Sequence, residues 1–175
     1  MKKNLELKSN SASETKKFGE ILGRFLKGGD TVLLEGALGA GKTTLVQGIA
    51  KGFLGDAKIR VTSPTFSLIH EYDGGGEKIF HLDWYRLSSV KGEDEGMAAE
   101  CLGSKNALKV IEWPSRGAPL LPSENLKIDL KHSGGNRRLL RIQARGKSYE
   151  DLLSLIKLKL HPGKAGVKTK RRRQP

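Results

Sequence analysis

Nine residues, Gly36-Ala37-Leu38-Gly39-Ala40-Gly41-Lys42-Thr43-Thr44, fit the pattern G-x-x-x-x-G-K-[ST] at every fixed position. Such a stretch is a phosphate cradle. Its glycines let the backbone wrap so that N–H groups of Gly39, Ala40, Gly41 and the residues after them point at phosphate oxygens. Lys42 brings positive charge to the β and γ phosphates, and the Thr43 hydroxyl is an oxygen donor suited to Mg²⁺. The helix opened by Thr43 and Thr44 adds its positive end to the same point. As a loop residue, Lys42 is expected to be open to solvent and dispensable to the core.

Two carboxylates are the next candidates for chemistry. The apolar run Ile79-Phe80-His81-Leu82 closes on Asp83, and Leu108, Val110 and Ile111 lead to Glu112-Trp113, where Pro114 stops the strand. A strand-end acid beside a phosphate cradle can order the metal or the attacking water. Strands also end in Asp because it suits turns, and Glu112 reads equally as an acid exposed at a strand end. From spacing alone the plainer readings are favoured.

These groups need a scaffold, and the hydrophobic pattern supplies one. Thr31 to Glu35 is a short β-branched and apolar run before the cradle, and Leu45, Val46, Ile49, Ala50 and Phe53 recur at helical spacing after it. Strand, loop and helix are the context the motif requires. Upstream, Leu5 and Leu7 alternate with charged residues as an edge strand would, and Ser11 with Glu14 makes a capping box, Ser13 being the competing cap. Phe18, Ile21, Leu22, Phe25 and Leu26 then form an amphipathic helix ended by Gly28-Gly29 and packed against the sheet.

Downstream, Pro64 within Arg60 to Thr65 makes that segment an edge, a bulge or a loop crossing the sheet end. Thr65 to Tyr72 and Lys78 to Asp83 read as an antiparallel pair turned by Asp73 to Gly76, with the Asp83 strand running beside the cradle strand. Residues 88–106 read as a loop and short acidic helix. Leu126 to Leu130 and Arg138 to Ala144 form a second hairpin, and Ser148 caps a last helix. Arg137, Arg138, Arg141 and Arg145 make the return strand basic, either as an ordinary outer face or as a phosphate contact. The expected architecture is α/β, three layers with a mixed parallel and antiparallel central sheet.

The 175 residues, 37% hydrophobic, suit one domain over residues 1–160. Six of the 13 excess positive charges fall on residues 161–175, which carry no acid and no periodic apolar face. That segment reads as a disordered tail, either an electrostatic arm for RNA or a solubilising appendage. Cys101 is the only cysteine, which excludes an internal disulfide and a thiolate cluster and suits a small buried hydrophobe. No run is long enough for a membrane helix, and Asn4, Glu6 and Lys8 interrupt any signal-peptide core, so a cytoplasmic protein is expected.

Four segments together resemble the TsaE (YjeE) family of bacterial P-loop ATPases needed for the threonylcarbamoyladenosine modification of tRNA. They are the cradle, Thr62-Ser63-Pro64-Thr65, His81-Leu82-Asp83-Trp84-Tyr85-Arg86-Leu87, and Val110-Ile111-Glu112-Trp113-Pro114. The resemblance implies a P-loop NTPase fold, ATP and Mg²⁺ as cofactors, and a TsaB–TsaD complex as partner. It places Asp83 and Glu112 with Thr43 at the metal, makes Thr62 and Thr65 sensors of the γ-phosphate, sets Trp113 beside the nucleotide, and puts adenine near Ser11 to Thr15. Lys42, Asp83 and Glu112 become the catalytic candidates. Ala37 departs from the family's acidic or polar residue at that position, which is immaterial to phosphate binding through the backbone. The competing readings are a small P-loop kinase acting on a metabolite and a basic RNA-binding protein with a structural nucleotide.

Overall fold

The computed structural model describes residues 4–160; the basic segment 161–175, with its tail reading, lies outside the described residues. Seven strands form one sheet: β1 (Asn4–Ser9), β2 (Thr31–Glu35), β3 (Ile69–Gly74), β4 (Glu77–Asp83), β5 (Ala107–Glu112), β6 (Asn125–His132) and β7 (Arg138–Arg145). Their order is β1-β7-β6-β2-β5-β4-β3. Strands β6, β2, β5 and β4 run parallel, and antiparallel partners close both edges. The sheet is mixed, as the two hairpin turns require.

Alternation along the strands sorts side chains to the two faces. Val32 and Leu34 of β2 point into a large core with Leu108 and Val110 of β5 and Ile128 and Leu130 of β6, while Leu33 and Ile111 point into a smaller one. Helices α1 (Ala12–Gly23), α2 (Lys42–Leu54) and α4 (Lys147–Leu160) cover the large core. Helix α3 (Glu93–Gly103), the 3₁₀ segment Pro114–Leu120 and fully buried Trp84 cover the other, where Cys101 is a buried free thiol. Three layers result. At the far end, the Thr31 N–H donates to the Tyr149 hydroxyl at 2.7 Å, tying α4 to β2, and burial pushes the Tyr149 phenol up to about 12.

Several local expectations shift. The Ser11 side chain caps α1 by accepting from the Glu14 N–H, but the Glu14 carboxylate closes the box on the Asn10 N–H. Helix α1 stops at Gly23 rather than Gly28, because the Phe25 N–H bonds to the Leu22 carbonyl in a tighter turn. It packs on α2 more than on the sheet. Thr65 to Leu68 form a turn and not a strand, with the Leu68 N–H on the Pro64 carbonyl at 2.7 Å and Leu68 at φ 64°. Strand β4 is not beside β2, since β5 lies between them. Ser148 falls inside the first turn of α4, whose start is marked by Gly146 at φ 96° with its carbonyl accepting from the Glu150 N–H.

The α1–α2 contact is a glycine seam. Gly19 and Gly23 of α1 meet Gly48 and Gly52 of α2, each pair four residues apart and therefore on one helical face. A Cβ on Gly48 would fall 2.1 Å from the Lys16 carbonyl oxygen, and one on Gly52 2.1 Å from that of Glu20. The backbones touch, so α2 and the loop before it are set by this approach. Gly48→Ala is expected to lose about 1–3 kcal/mol in urea unfolding, as overpacking does. Gly96→Ala in α3, where a Cβ meets nothing within 4 Å, is expected to be neutral or to gain up to about 1 kcal/mol.

Candidate functional site

The P-loop begins where β2 stops. Gly41 caps α2 in a left-handed conformation at φ 101°, which strains any side chain, and a Cβ there would lie 2.6 Å from Arg138 Nε, so that arginine would have to shift. The β6–β7 hairpin grips the loop from outside. Arg138 Nε donates to the Ala40 carbonyl at 3.2 Å, and His132 Nε2 lies 2.9 Å from the Gly39 carbonyl.

Register brings the other elements to the same level. Leu34 of β2 pairs with Glu112 of β5, and Glu112 pairs with Asp83 of β4, so the loop and both carboxylates leave the sheet side by side. Thr43 Oγ1 donates to Glu112 Oε1 at 2.9 Å. His81 Nε2 lies 3.0 Å from the same oxygen. Asp83 accepts from the Tyr85 N–H at 2.9 Å on Oδ1, and from Thr65 Oγ1 at 2.8 Å and Ser63 Oγ on Oδ2. Neither acid is an exposed strand end: Asp83 is 2% and Glu112 3% accessible.

A cavity of about 300 Å³ opens over these groups. Of the residues singled out in the sequence, Gly39, Gly41, Lys42, Thr43, Thr44, Thr65, Asp83, Glu112 and Trp113 line it. Ala40 does not; it is buried, and its N–H donates to the Ala37 carbonyl. Ser11 is occupied in capping α1 and does not line the cavity. Thr62 is exposed, its backbone held on both sides by the Tyr72 hydroxyl, and it does not line the cavity either. Ser63 stands there instead, because alternate residues of the loop, 63 and 65, share the face toward Asp83.

Lys42 departs from its expected exposure. It is 4% accessible, and its ammonium donates to the Gly36 carbonyl at 2.8 Å and the Ala37 carbonyl at 3.1 Å. It also lies 4.1 Å from the centre of the Trp113 ring, and Tyr85 packs on that ring at 5.1 Å. Burial lowers the Lys42 pKa below the usual lysine value, opposed by Glu112, Asp83 and Glu35. Trp113 itself sits at φ 59°, a left-handed conformation that turns the chain sharply into Pro114.

Leu38, Ser63, Tyr85 and Arg138 line the cavity without having been chosen from the sequence. Ser63 and Tyr85 stand inside the quoted motifs, so spacing was available for both. Arg138 was visible only as one of four arginines on a basic strand, and nothing local distinguishes it from Arg141, which pairs with Glu6 at 2.9 Å.

The donor set fits a hard divalent cation. One hydroxyl and two carboxylates are oxygen ligands of the class Mg²⁺ takes. Among the described residues no three His, Cys, Asp or Glu side chains are grouped to hold a metal unaided. A site of this kind is completed by substrate phosphates and water.

Residues 9–140 match the family model for the threonylcarbamoyl adenosine biosynthesis protein TsaE. The chain is 39% identical over 150 residues to the tRNA threonylcarbamoyladenosine biosynthesis protein TsaE of Bacillus subtilis (strain 168), covering 86% of this chain and 92% of that one. It is 41% identical over 132 residues to the protein of the same name from Treponema pallidum (strain Nichols), covering 75% and 95%. The crystal structure of Bacillus subtilis YdiB superposes with a TM-score of 0.74 at 34% identity, over 91% of this chain and 97% of that one. With the P-loop NTPase fold and the four motifs in place around one cavity, the chain belongs to the TsaE family of threonylcarbamoyl adenosine biosynthesis proteins.

Proposed function

We propose that this protein is the Mg²⁺-dependent, ATP-binding and ATP-hydrolysing component of tRNA threonylcarbamoyladenosine formation. It works with a TsaB–TsaD complex in the cytoplasm, reaches tRNA directly or through that complex, and does not itself transfer the threonylcarbamoyl group. One observation carries the reading: the P-loop, Thr43, Asp83, Glu112 and Lys42 converge on one cavity at the ends of three adjacent parallel strands. No helix among the described residues is long and apolar enough to cross a membrane. The kinase and structural-nucleotide readings have no comparable support, and the family match favours a role in threonylcarbamoyladenosine formation over both.

In this reading the backbone N–H groups of Gly39 and of residues 41–44 bind phosphate, that of Ala40 being held by the Ala37 carbonyl, and the Lys42 ammonium moves from the Gly36 and Ala37 carbonyls to phosphate oxygens. Thr43, Asp83 and Glu112 hold Mg²⁺, which supplies charge neutralisation on the phosphates when bound. Ser63 and Thr65 relay the occupancy of the metal side to the loop they belong to, through Asp83. Trp113 and Tyr85 wall the cavity and exclude water from Lys42. The deciding experiment measures ATP hydrolysis by the protein alone and with purified TsaB–TsaD. Slow turnover alone that rises with the complex supports the reading, and no turnover in either case ends it.

Two sets of variants test the roles. Lys42→Ala is expected to cut hydrolysis by at least about 100-fold, the scale of losing one phosphate-facing donor. Because Lys42 also holds two loop carbonyls, ATP affinity measured by calorimetry is expected to fall as well. Asp83→Asn and Glu112→Gln are each expected to slow Mg²⁺-dependent hydrolysis by about 100-fold while changing metal-free ATP affinity little, since that binding draws on backbone donors. Turnover with the parent's magnesium dependence in both would remove the metal assignment.

A further inference from the structure

Among the described residues, His81 is the one buried titratable group near the cavity that the proposed chemistry leaves unused. It lies on β4 two residues before Asp83, and the pleat turns both side chains to the same face of the sheet. Its ring is fully buried, and Nε2 lies 3.0 Å from Glu112 Oε1. That oxygen already accepts from Thr43 Oγ1 at 2.9 Å. A carboxylate oxygen accepts, so the ring proton belongs on Nε2. Nδ1 is buried with no hydrogen-bond partner among the described residues.

An unpaired buried polar atom costs on the order of 1–3 kcal/mol, which an apolar side chain in this place would avoid. The ring therefore does something a leucine would not. Two donors, from α2 and from β4, converge on Oε1, and Glu112 Oε2 makes no hydrogen bond among the described residues. The carboxylate cannot rotate without losing both contacts, and its second oxygen is left without a protein hydrogen bond in a residue that lines the cavity.

We propose that His81 is a positioning residue for the Glu112 carboxylate, donating from Nε2 so that Glu112 presents its second oxygen to a divalent cation beside Thr43. The inference rests on the proposed ATPase reading for the identity of that cation, but its hydrogen bond does not. The H-x-D spacing then has a physical meaning: one strand delivers Asp83 to the 63–65 loop and, one pleat earlier, a donor that aims the acid of the neighbouring strand.

Three substitutions separate aiming from packing. Glutamine carries an amide N–H at the reach of Nε2, asparagine carries one only at the reach of Nδ1, and leucine carries none. The Mg²⁺ concentration giving half-maximal ATP hydrolysis is expected to rise about tenfold in His81→Leu and His81→Asn, the effect of losing a partner behind a metal ligand, and to return close to the parent value in His81→Gln. Metal-free ATP affinity, read by calorimetry, is expected to stay within about twofold throughout. An unchanged magnesium requirement in the asparagine and leucine variants, or a glutamine variant as impaired as asparagine, overturns the proposal. If leucine prevents folding, the glutamine and asparagine pair still decides.

A measurement without nucleotide keeps this test apart from the ATPase reading. Long-range proton–nitrogen spectra of the full chain are expected to show the His81 proton on Nε2 and bare Nδ1. A proton on Nδ1 alone overturns the proposal whatever the protein does with ATP, whereas absent hydrolysis with the Nε2 proton in place counts against the ATPase reading and leaves the contact to Glu112 standing.

Discussion

The parallel register of β2, β5 and β4 is the constraint on which the site depends. Because Leu34, Glu112 and Asp83 sit at one level across three hydrogen-bonded strands, whatever leaves those strand ends must meet. The P-loop leaves the first, one carboxylate ends each of the others, and ligands in open α/β sheets gather at such carboxyl ends. A slip of one residue in β5 would turn Glu112 from the α2 side to the Trp84 side of the sheet. Burial on both faces opposes that slip, since Leu108 and Val110 fill one core and Ile111 the other.

Around this register the packing works at short range. The four-glycine seam lets α1 lie with its backbone against α2, and α2 is the helix whose first residue is Lys42. A helix held that closely cannot drift along the sheet, and the Thr43–Glu112 hydrogen bond fastens its first turn to β5. The hairpin of β6 and β7 completes the hold through the Gly39 and Ala40 carbonyls. The loop thus has fixed neighbours on the sheet side and on the outside.

Charge makes the same site costly to bury and useful once buried. Lys42, Asp83 and Glu112 are each removed from water, which is tolerated only where ions are paired and hydrogen-bonded. Asp83 collects three donors, Glu112 two, and the Lys42 ammonium two carbonyls and an aromatic face. In such surroundings electrostatic interactions are stronger than in water, so these contacts hold the three charged groups in place around the cavity.

The sequence by itself determined the cradle, the strand before it and the helix after it, because glycine spacing, a β-branched run and a helical apolar stripe are local signals. Both hairpins and the three-layer α/β class were legible for the same reason. It also carried the family's four motifs, and with them Asp83, Glu112 and Trp113. Tertiary structure decided what no local pattern encodes. That β5 stands between β2 and β4, that Ser63 rather than Thr62 faces Asp83, that Arg138 among four arginines reaches the P-loop, and that Lys42 is buried all follow from contacts between residues distant in the chain. Strand order and side-chain partners are set by which surfaces exclude water together, and that selection is made only when the whole sheet has assembled.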